Sequence, residues 1–327
     1  MAAAEVGDDQ YGEDPTVNRL QEHVAGLLGK DAALWLPSGT MANQIGLRLL
    51  TRPGDDVIVS RESHTVWHET GASAANAGVQ FTEIGARGLF TAEEVLAARK
   101  PRGHIVYPPT TLIVIENTHN RAGGVVFPLA LVERIAAAAR EHQLAMFLDG
   151  ARLWNAAIVA GQTPAALAAP FDLVTVAFSK GLGAPAGSML AGSKDLIAAA
   201  VRYRRMYGGA MRQVGILAAA ALYALDRNLE RLVEDHVNAR RMAVHLAEVK
   251  PITIDPDQVE TNIVIFHLAP SAPDAATVVA RAAERGVLVF AFGPRTVRAV
   301  THLDVSRAHC DRAAAVLAEV AAGRGLV

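Results

Sequence analysis

Two charged residues, Asp149 and Lys180, follow short apolar runs of the chain, at 144–148 and 173–178. A lysine can form a Schiff base with an aldehyde, and a carboxylate can hold the nitrogen of a pyridine ring in its protonated form. Pyridoxal phosphate requires both groups from its protein. The pair therefore predicts a pyridoxal-phosphate enzyme that works on amino acids.

Each of the two residues also has an ordinary interpretation. Asp149 could be a strand-end carboxylate that caps the following loop, and Lys180 could be a surface lysine. The Gly181–Gly183 segment after Lys180 is instead typical of a loop where backbone segments approach closely. Partial burial near a cationic ring would lower the pKa of Lys180 and favour the neutral amine that the chemistry needs.

A candidate phosphate-binding loop lies early in the chain, at Ser38, Gly39 and Thr40. Glycine lets the backbone approach an anion, hydroxyl groups donate hydrogen bonds, and a helix N-terminus contributes N–H groups and a positive dipole. By itself such a motif is more often a helix cap. Its position upstream of Asp149 and Lys180 favours a phosphate-binding role.

Two histidines and two arginines complete the candidate site. His64 and His119 each follow a predicted strand, and the carboxyl ends of parallel strands are where α/β sheets bind ligands. Most histidines are structural, so this placement is what favours a catalytic role for these two. Arg152 and Arg298 are candidates for binding a substrate carboxylate, because a guanidinium group can donate two parallel hydrogen bonds to it.

The elements that position these residues indicate an α/β fold. The runs 112–115, 144–148 and 173–178 are almost continuously apolar, which is typical of strands covered on both faces of a parallel sheet. Residues 128–142 predict an amphipathic helix between the first two strands. Strand, helix and strand in this order predict a βαβ unit.

The last third of the chain has a different pattern. The predicted elements there are one long helix, a strand, a helix and a strand, at 215–249, 261–266, 274–284 and 287–290. We therefore expect two domains: a large one over residues 1–229, with a mostly parallel sheet flanked by helices, and a small C-terminal α+β domain over residues 230–327.

The composition argues against several classes of function. The chain has 327 residues, 51% hydrophobic and 20% charged, with a net charge of −2, so nothing favours nucleic acid or an anionic membrane as a partner. Cys310 is the single cysteine, so we expect no intrachain disulfide and no cysteine-based metal site. We assign no metal ligands. No apolar run is long enough to span a membrane. The N-terminus turns acidic at once, unlike a signal peptide, and we expect a cytoplasmic protein.

Seven segments, spread over almost the whole chain, together resemble the low-specificity L-threonine aldolases, which belong to the β-eliminating lyase group of fold-type I pyridoxal-phosphate enzymes. The segments are Gly7–Thr16, Pro37–Met41, Glu116–Gly124, Leu148–Arg152, Ser179–Pro185, Gly208–Gln213 and Arg298–His302. The resemblance implies an enzyme that cleaves L-threonine, L-allo-threonine and other β-hydroxy-α-amino acids to glycine and an aldehyde.

The resemblance also implies a role for each cofactor residue. Lys180 would hold pyridoxal phosphate covalently, Asp149 would hold the ring nitrogen, and His64 would stack on the ring. Gly39 and Thr40, with Ser38, would bind the phosphate. Arg212 would reach the phosphate of the partner subunit, because such sites are completed across a dimer interface, so we expect a homodimer or homotetramer.

For the substrate, the resemblance implies three further roles. Arg152 would lie beside the phenolic oxygen of the ring and the substrate carboxylate. Arg298 would bind that carboxylate, and His119 would face the substrate side chain.

Two departures from the family pattern leave alternatives open. The chain has Gly208-Gly209-Ala210 where relatives have three glycines, and Met1 follows the position of a Ser-Asp-Thr segment that helps to form the substrate site in relatives. We expect a weakly active or inactive homologue if that segment is missing. An aminotransferase or another β-lyase would share Asp149 and Lys180, whereas a Rossmann protein would need a Gly-x-Gly-x-x-Gly motif after the first strand, where none occurs.

Overall fold

The computed structural model describes residues 1–323, which form two compact units. The first contains residues 1–122 and 126–230, and the second contains Gly123–Val125 together with the chain from Arg231 onward. Within the described residues, no helix combines the length and apolar character needed to cross a membrane.

A seven-stranded sheet forms the centre of the first unit. Its strands are β1 (Ala32–Leu36), β2 (Asp56–Ser60), β3 (Gln80–Ile84), β4 (Thr110–Glu116), β5 (Ala145–Gly150), β6 (Leu173–Ala177) and β7 (Ser188–Gly192). The order across the sheet is β1-β7-β6-β5-β4-β2-β3. Neighbours from β6 to β3 are parallel, and β7 runs opposite to both β6 and β1. The three strands predicted from apolar runs are confirmed as β4, β5 and β6.

Ten α-helices belong to the described part of the first unit. They are α1 (Pro15–Leu28), α2 (Gly39–Leu50), α3 (His64–Trp67), α4 (Ala72–Asn76), α5 (Ala92–Ala98), α6 (Leu129–Glu141), α7 (Leu153–Ala160), α8 (Pro164–Ala168), α9 (Lys194–Met206) and α10 (Gly215–Asn228). The predicted helix at 128–142 is confirmed as α6. The α/β class is therefore confirmed, with helices connecting the parallel strands.

One close approach in the first unit matters for the candidate site. A Cβ atom on Gly46 of α2 would lie 2.6 Å from the Phe147 ring of β5. Only glycine leaves room for that ring, so α2 packs tightly against the middle of the sheet. This contact holds the first turns of α2 near the carboxyl end of β5.

The second unit is built around a four-stranded antiparallel sheet in the order β10-β11-β9-β8. Its elements are α11 (Leu232–Ala247), β8 (Ile252–Thr253), β9 (Ile263–Leu268), α12 (Ala275–Glu284), β10 (Phe290–Gly293), β11 (Thr296–Val300) and α13 (Arg307–Ala321). Leu246, Phe266, Val278 and Leu317 are fully buried in its core. The second unit therefore has the helices and antiparallel strands of the expected small α+β domain. The domain limits 1–229 and 230–327 stay a prediction.

Two predictions about this part of the chain are wrong in detail. The single helix expected over 215–249 is two helices, α10 and α11, because the chain passes from one unit to the next after Glu230. The strand expected at 287–290 begins only at Phe290. Gly286 adopts a left-handed conformation with φ of 77°, and Val287 donates its N–H to Ala282 at the end of α12, so these residues close the helix.

Candidate active site

Asp149 and Lys180 follow neighbouring parallel strands. Asp149 lies near the end of β5 and Lys180 comes shortly after β6, and Asp149 pairs in register with Thr175 of β6. Asp149 is 2% exposed, and its carboxylate accepts hydrogen bonds from Asn43 Nδ2 (2.8 Å) and the Ala151 N–H (3.2 Å). Lys180 is half-buried in its loop. The fold thus brings both predicted residues to the carboxyl edge of the sheet, where α/β proteins bind ligands.

The predicted phosphate-binding loop forms the start of α2. Ser38 is the N-cap, and its hydroxyl oxygen accepts a hydrogen bond from the Met41 N–H (3.2 Å). Apart from its chain neighbours and the backbone of α2 itself, no atom lies within 4 Å of the position that a Cβ atom would take on Gly39. The positive end of α2 therefore opens onto free space beside Gly39, which suits a phosphate group.

A buried carboxylate that we did not predict, Glu69, lies between the predicted residues. Glu69 is 1% exposed. Its Oε1 accepts hydrogen bonds from Asn43 Nδ2 (2.8 Å) and pairs with His64 Nδ1 (3.0 Å), and its Oε2 accepts from Gln44 Nε2 (2.6 Å). One ligand atom each of His64, Glu69 and Asp149 lies within 4.8 Å of the others. His64 and Asp149, chosen from the sequence, therefore do meet in space.

The surroundings of His64 favour its protonated form. Burial by itself would lower the pKa of His64, but the hydrogen bond to Glu69 and the negative charges of Asp149, Glu69 and Glu116 outweigh it and raise that pKa above its ordinary value. Because Glu69 is a hydrogen-bond acceptor, the neutral His64 ring carries its proton on Nδ1. The lone pair of the neutral ring is then on Nε2.

His119 has the opposite arrangement. Its Nδ1 accepts a hydrogen bond from the Ala122 N–H (3.1 Å), so the neutral ring carries its proton on Nε2. Nε2 lies 3.7 Å from Glu116 Oε2, too long for a hydrogen bond. The residue is 1% exposed. His119 is thus a buried ring with no free lone pair in its neutral form.

Glu116 at the end of β4 joins the two histidine segments. Its carboxylate accepts hydrogen bonds from the His64 N–H (2.7 Å) and the Asn120 N–H (2.8 Å). The Asn120 side chain in turn lies at 3.5 Å from Arg152 Nη1. Arg152 precedes α7 as its N-cap, so it starts from the same edge of the sheet as Asp149.

The other two predicted arginines lie elsewhere in the chain. Arg212 is exposed before α10, and its guanidinium group forms an ion pair with Asp8. That pair raises the pKa of Arg212. Arg298 lies on β11 of the second unit, with its guanidinium carbon 5.4 Å from the centre of the Phe292 ring. Burial lowers the pKa of Arg298, and its Nε has no hydrogen-bond partner among the described residues. The roles predicted for both stay predictions.

Asn43, Gln44, Glu69 and Glu116 were not predicted as site residues, although all four lie in or beside the segments that contain the predicted ones. The useful signal was a pair of amides, Asn43-Gln44, followed directly by apolar residues in a predicted helix. A buried amide needs partners, and it commonly finds them in buried carboxylates. Nothing local indicated that Glu69 would be the partner.

The residues present fit pyridoxal phosphate. A lysine, a buried carboxylate and a helix N-terminus with open space beside it lie along one edge of one sheet. His64, Glu69 and Asp149 could also be considered as metal ligands. However, Asn43 and Gln44 already direct N–H groups at the same carboxylates, and these dipoles oppose a metal ion at those oxygens.

Comparisons with known proteins identify the family of the chain. The β-eliminating lyase family matches residues 1–269 of the chain. The low specificity L-threonine aldolase of Escherichia coli O157:H7 is 42% identical, over 98% of this chain and 92% of that protein. The low-specificity L-threonine aldolase 1 of Arabidopsis thaliana is 37% identical, over 94% of this chain and 87% of that protein.

A solved structure supports the fold. The threonine aldolase of Leishmania major superimposes with a TM-score of 0.79, at 22% identity, over 98% of this chain and 92% of that one. At this level of identity the similarity establishes the architecture, which is the fold-type I arrangement expected from the sequence. The full-length match to curated relatives goes further: the chain belongs to the β-eliminating lyase family, with the low-specificity L-threonine aldolases, and is a pyridoxal-phosphate-dependent lyase.

Proposed function

We propose that this protein cleaves L-threonine, L-allo-threonine and related β-hydroxy-α-amino acids to glycine and an aldehyde. The observation that carries the proposal is the placement of Asp149 at the carboxyl end of β5 and of Lys180 in the loop after β6, its parallel neighbour. The identity of 42% to a low specificity L-threonine aldolase supports this reaction over transamination.

The chain would contact the cofactor through Lys180, Asp149, the stacked ring of His64 and the loop at the start of α2. When bound, pyridoxal phosphate provides a protonated ring that accepts the electron pair released as the Cα–Cβ bond of the substrate breaks. Lys180 would hold the cofactor covalently, and the buried carboxylate of Asp149 would keep the ring nitrogen protonated. Ser38, Gly39 and Thr40 would bind the phosphate at the start of α2.

Cleavage also requires a group that removes the proton of the β-hydroxyl. His64 is better suited than His119, because its neutral ring keeps a lone pair on Nε2 while Glu69 holds Nδ1. His119 would first have to lose the hydrogen bond from Ala122. We therefore assign proton removal to His64, directly or through a water molecule, and a substrate-facing role to His119 only if its ring becomes exposed.

The two arginines would orient the substrate. A carboxylate held at fixed points sets the Cα–Cβ bond perpendicular to the cofactor ring, where its electrons can enter the π-system. We propose Arg152 and Arg298 for this task, as the family resemblance implies. Replacing Arg298 by alanine should then lower cleavage by about 30-fold or more, from the loss of roughly 2 kcal/mol or more, without releasing the cofactor.

The remaining assignments are carried over from the same resemblance. We propose a cytoplasmic homodimer or homotetramer whose active sites lie at the subunit interface. Arg212 would contact the cofactor phosphate of the partner subunit, and for this it would leave Asp8, its present partner. We keep residues 1–229 and 230–327 as the proposed domains.

One experiment tests the core of the proposal. Purified protein is loaded with pyridoxal phosphate, reduced with borohydride and digested, and the peptides are analysed by mass spectrometry. We expect the label on Lys180, and we expect the untreated enzyme to release acetaldehyde and glycine from L-threonine. The Lys180→Ala variant should lose both properties, whereas the matched surface variant Lys194→Ala should keep them.

A label on another lysine would contradict the assignment of Lys180. Formation of a keto acid from threonine without acetaldehyde would replace the aldolase proposal with a transaminase. Both outcomes are read from the same protein preparation.

A further inference from the structure

Two residues without an assigned role, Asn43 and Glu69, connect the two side chains proposed to contact the cofactor ring. Asn43 Nδ2 donates to Asp149 Oδ2 and to Glu69 Oε1, each at 2.8 Å. Glu69 Oε1 also pairs with His64 Nδ1 at 3.0 Å. The hydrogen bonds therefore run without a gap from His64 through Glu69 and Asn43 to Asp149.

The orientation of the Asn43 amide is determined by its neighbours. Two carboxylate oxygens approach its nitrogen, so the flipped amide would direct its own oxygen at two negative charges. Its Oδ1 instead accepts a hydrogen bond from the Thr175 hydroxyl at 3.1 Å. Asn43 is 3% exposed. With every polar atom used and no access to solvent, the amide has one stable position.

Glu69 is equally constrained. Three N–H groups converge on its two oxygens, from Asn43, Gln44 and His64. Only a carboxylate accepts all three. A glutamine at this position would direct its own NH₂ group at one of the donors and would leave a buried polar group without a partner.

The backbone under this network is also held in place. Asn43 and Gln44 lie on α2, three and two residues before Gly46, where α2 contacts the Phe147 ring of β5. Thr175 belongs to β6, the neighbour of β5. The network is therefore anchored on three packed elements, and Asn43 cannot move away from Asp149 without a shift of α2.

We propose that Asn43 and Glu69 are positioning residues that hold the Asp149 carboxylate and the His64 ring in one fixed arrangement, ready for the ring of pyridoxal phosphate. This inference rests on the proposed function, because that function places the ring at these two side chains. The other ionisable groups near His64 are Glu116, which accepts its backbone N–H, and His68, whose ring centre lies 5.5 Å away. Neither connects His64 to Asp149.

The test uses the full-length protein with and without cofactor. In Glu69→Gln and Asn43→Ala, we expect the affinity for pyridoxal phosphate, measured by absorbance titration of the apoprotein, to fall by about tenfold, the equivalent of one hydrogen bond to a charged group. Histidine ring NMR of the apoprotein should show a lowered pKa for His64 in Glu69→Gln. The double variant should lose less than the product of the single effects, because both residues act through one network.

The matched control is Asp56→Asn. It removes a buried carboxylate that, like Glu69, accepts several hydrogen bonds, but this one lies at the amino end of β2 and not near the carboxyl ends of the parallel strands. We expect this variant to be less stable than the parent protein. Its affinity for the cofactor should stay within twofold of the parent value, and the pKa of His64 should not shift. Because Asn43→Ala removes only a neutral amide, it keeps the test open if Glu69→Gln does not fold.

The outcomes separate the two proposals. If the parent protein binds cofactor and cleaves threonine while both variants match it in cofactor affinity and in the His64 titration, the positioning role is wrong. If the control weakens cofactor binding as much as Asn43→Ala does, the effect is general destabilisation and the positioning role is again wrong. If the parent itself neither binds cofactor nor cleaves threonine, the proposed function fails.

Discussion

The seven-stranded sheet has buried carboxylates at both of its edges, meaning the amino ends and the carboxyl ends of its parallel strands. The two edges hold these carboxylates in different ways. Asp56 at the amino end of β2 is fully buried and accepts hydrogen bonds from Lys100 Nζ (2.7 Å) and the hydroxyls of Thr82 (2.7 Å) and Thr110 (2.8 Å). Burial would raise the pKa of Asp56, but Lys100 and the hydroxyl groups outweigh it and lower that pKa. The chain thus provides its own cation for this carboxylate.

At the carboxyl edge, the hydrogen bonds that Asp149 accepts from Asn43 and Ala151 come from neutral donors. A neutral donor satisfies the lone pairs of a carboxylate without cancelling its charge, and that charge remains available to a positively charged ligand. A protonated pyridine ring is such a ligand. The buried ion pair with Lys100 thus links neighbouring strands, whereas the Asp149 carboxylate, held by two neutral N–H donors, keeps its charge for the binding site.

The largest expected effect on activity comes from replacing a buried aspartate by asparagine, a change that can be made at both edges of the sheet. Asp149→Asn should lower threonine cleavage by about 10²–10³-fold, because it removes the charge that stabilises the protonated ring. Asp56→Asn should keep the activity per folded, cofactor-loaded molecule within twofold. Acetaldehyde release, normalised to bound cofactor, measures both. Equal losses in the two variants would remove the functional difference between the edges.

The second prediction concerns stability at the amino edge. Lys100→Met should lower the free energy of unfolding by about 2–4 kcal/mol, because Asp56 would be left buried without its cation. Because Lys100 is partly exposed, the loss of stability should be smaller than for a fully buried ion pair. Urea denaturation of the apoprotein measures the loss, with Lys194→Met as the control at an exposed lysine. An unchanged unfolding midpoint would show that Asp56 does not depend on Lys100.

The third prediction is that the two edges respond to pH in opposite directions. The pKa of Asp56 is lowered, so its stabilising contribution is present above its ordinary value of 3.8 and is lost as the pH falls through the folded pKa. The pKa of His64 is raised, so its contribution is present below 6.5 and is lost as the pH rises through the folded pKa.

These two dependences can be separated by thermal unfolding of the apoprotein from about pH 3 to about pH 9. We expect Lys100→Met to weaken the acid dependence and His64→Gln to weaken the alkaline one. An alkaline dependence that persists unchanged in His64→Gln would assign it to another group.

The smallest expected effect tests the orientation of Asn43. Thr175→Val removes the hydroxyl that donates to Asn43 Oδ1 and should lower stability by about 1 kcal/mol, with a several-fold loss of cofactor affinity. The control is Thr51→Val at the other end of α2, where a hydroxyl donates to the Leu47 carbonyl (2.7 Å). It should lower stability by a similar amount without changing cofactor affinity. Equal changes in affinity would mean that the stability of α2, and not the Asn43 amide, controls binding.

Much of the first unit could be predicted from the sequence because its signals are local. The apolar runs that become β4, β5 and β6 are continuous, since these strands are buried on both faces. Asp149 and Lys180 stand out because each carries a charge directly after such a run. Ser38 and Gly39 were recognisable because capping depends on residues within one turn of the helix.

The tertiary structure decided the contacts between distant positions. Asn43 meets Asp149 across 106 residues and Thr175 across 132, and no local pattern selects these partners. The break between α10 and α11 has no glycine or proline to signal it, and it follows from the division of the chain into two units. The sequence by itself determined which groups could do the chemistry, because residue type and strand ends are local properties. Only the packing of α2 on the sheet decided how those groups are held, because hydrogen bonds between buried side chains depend on three-dimensional proximity.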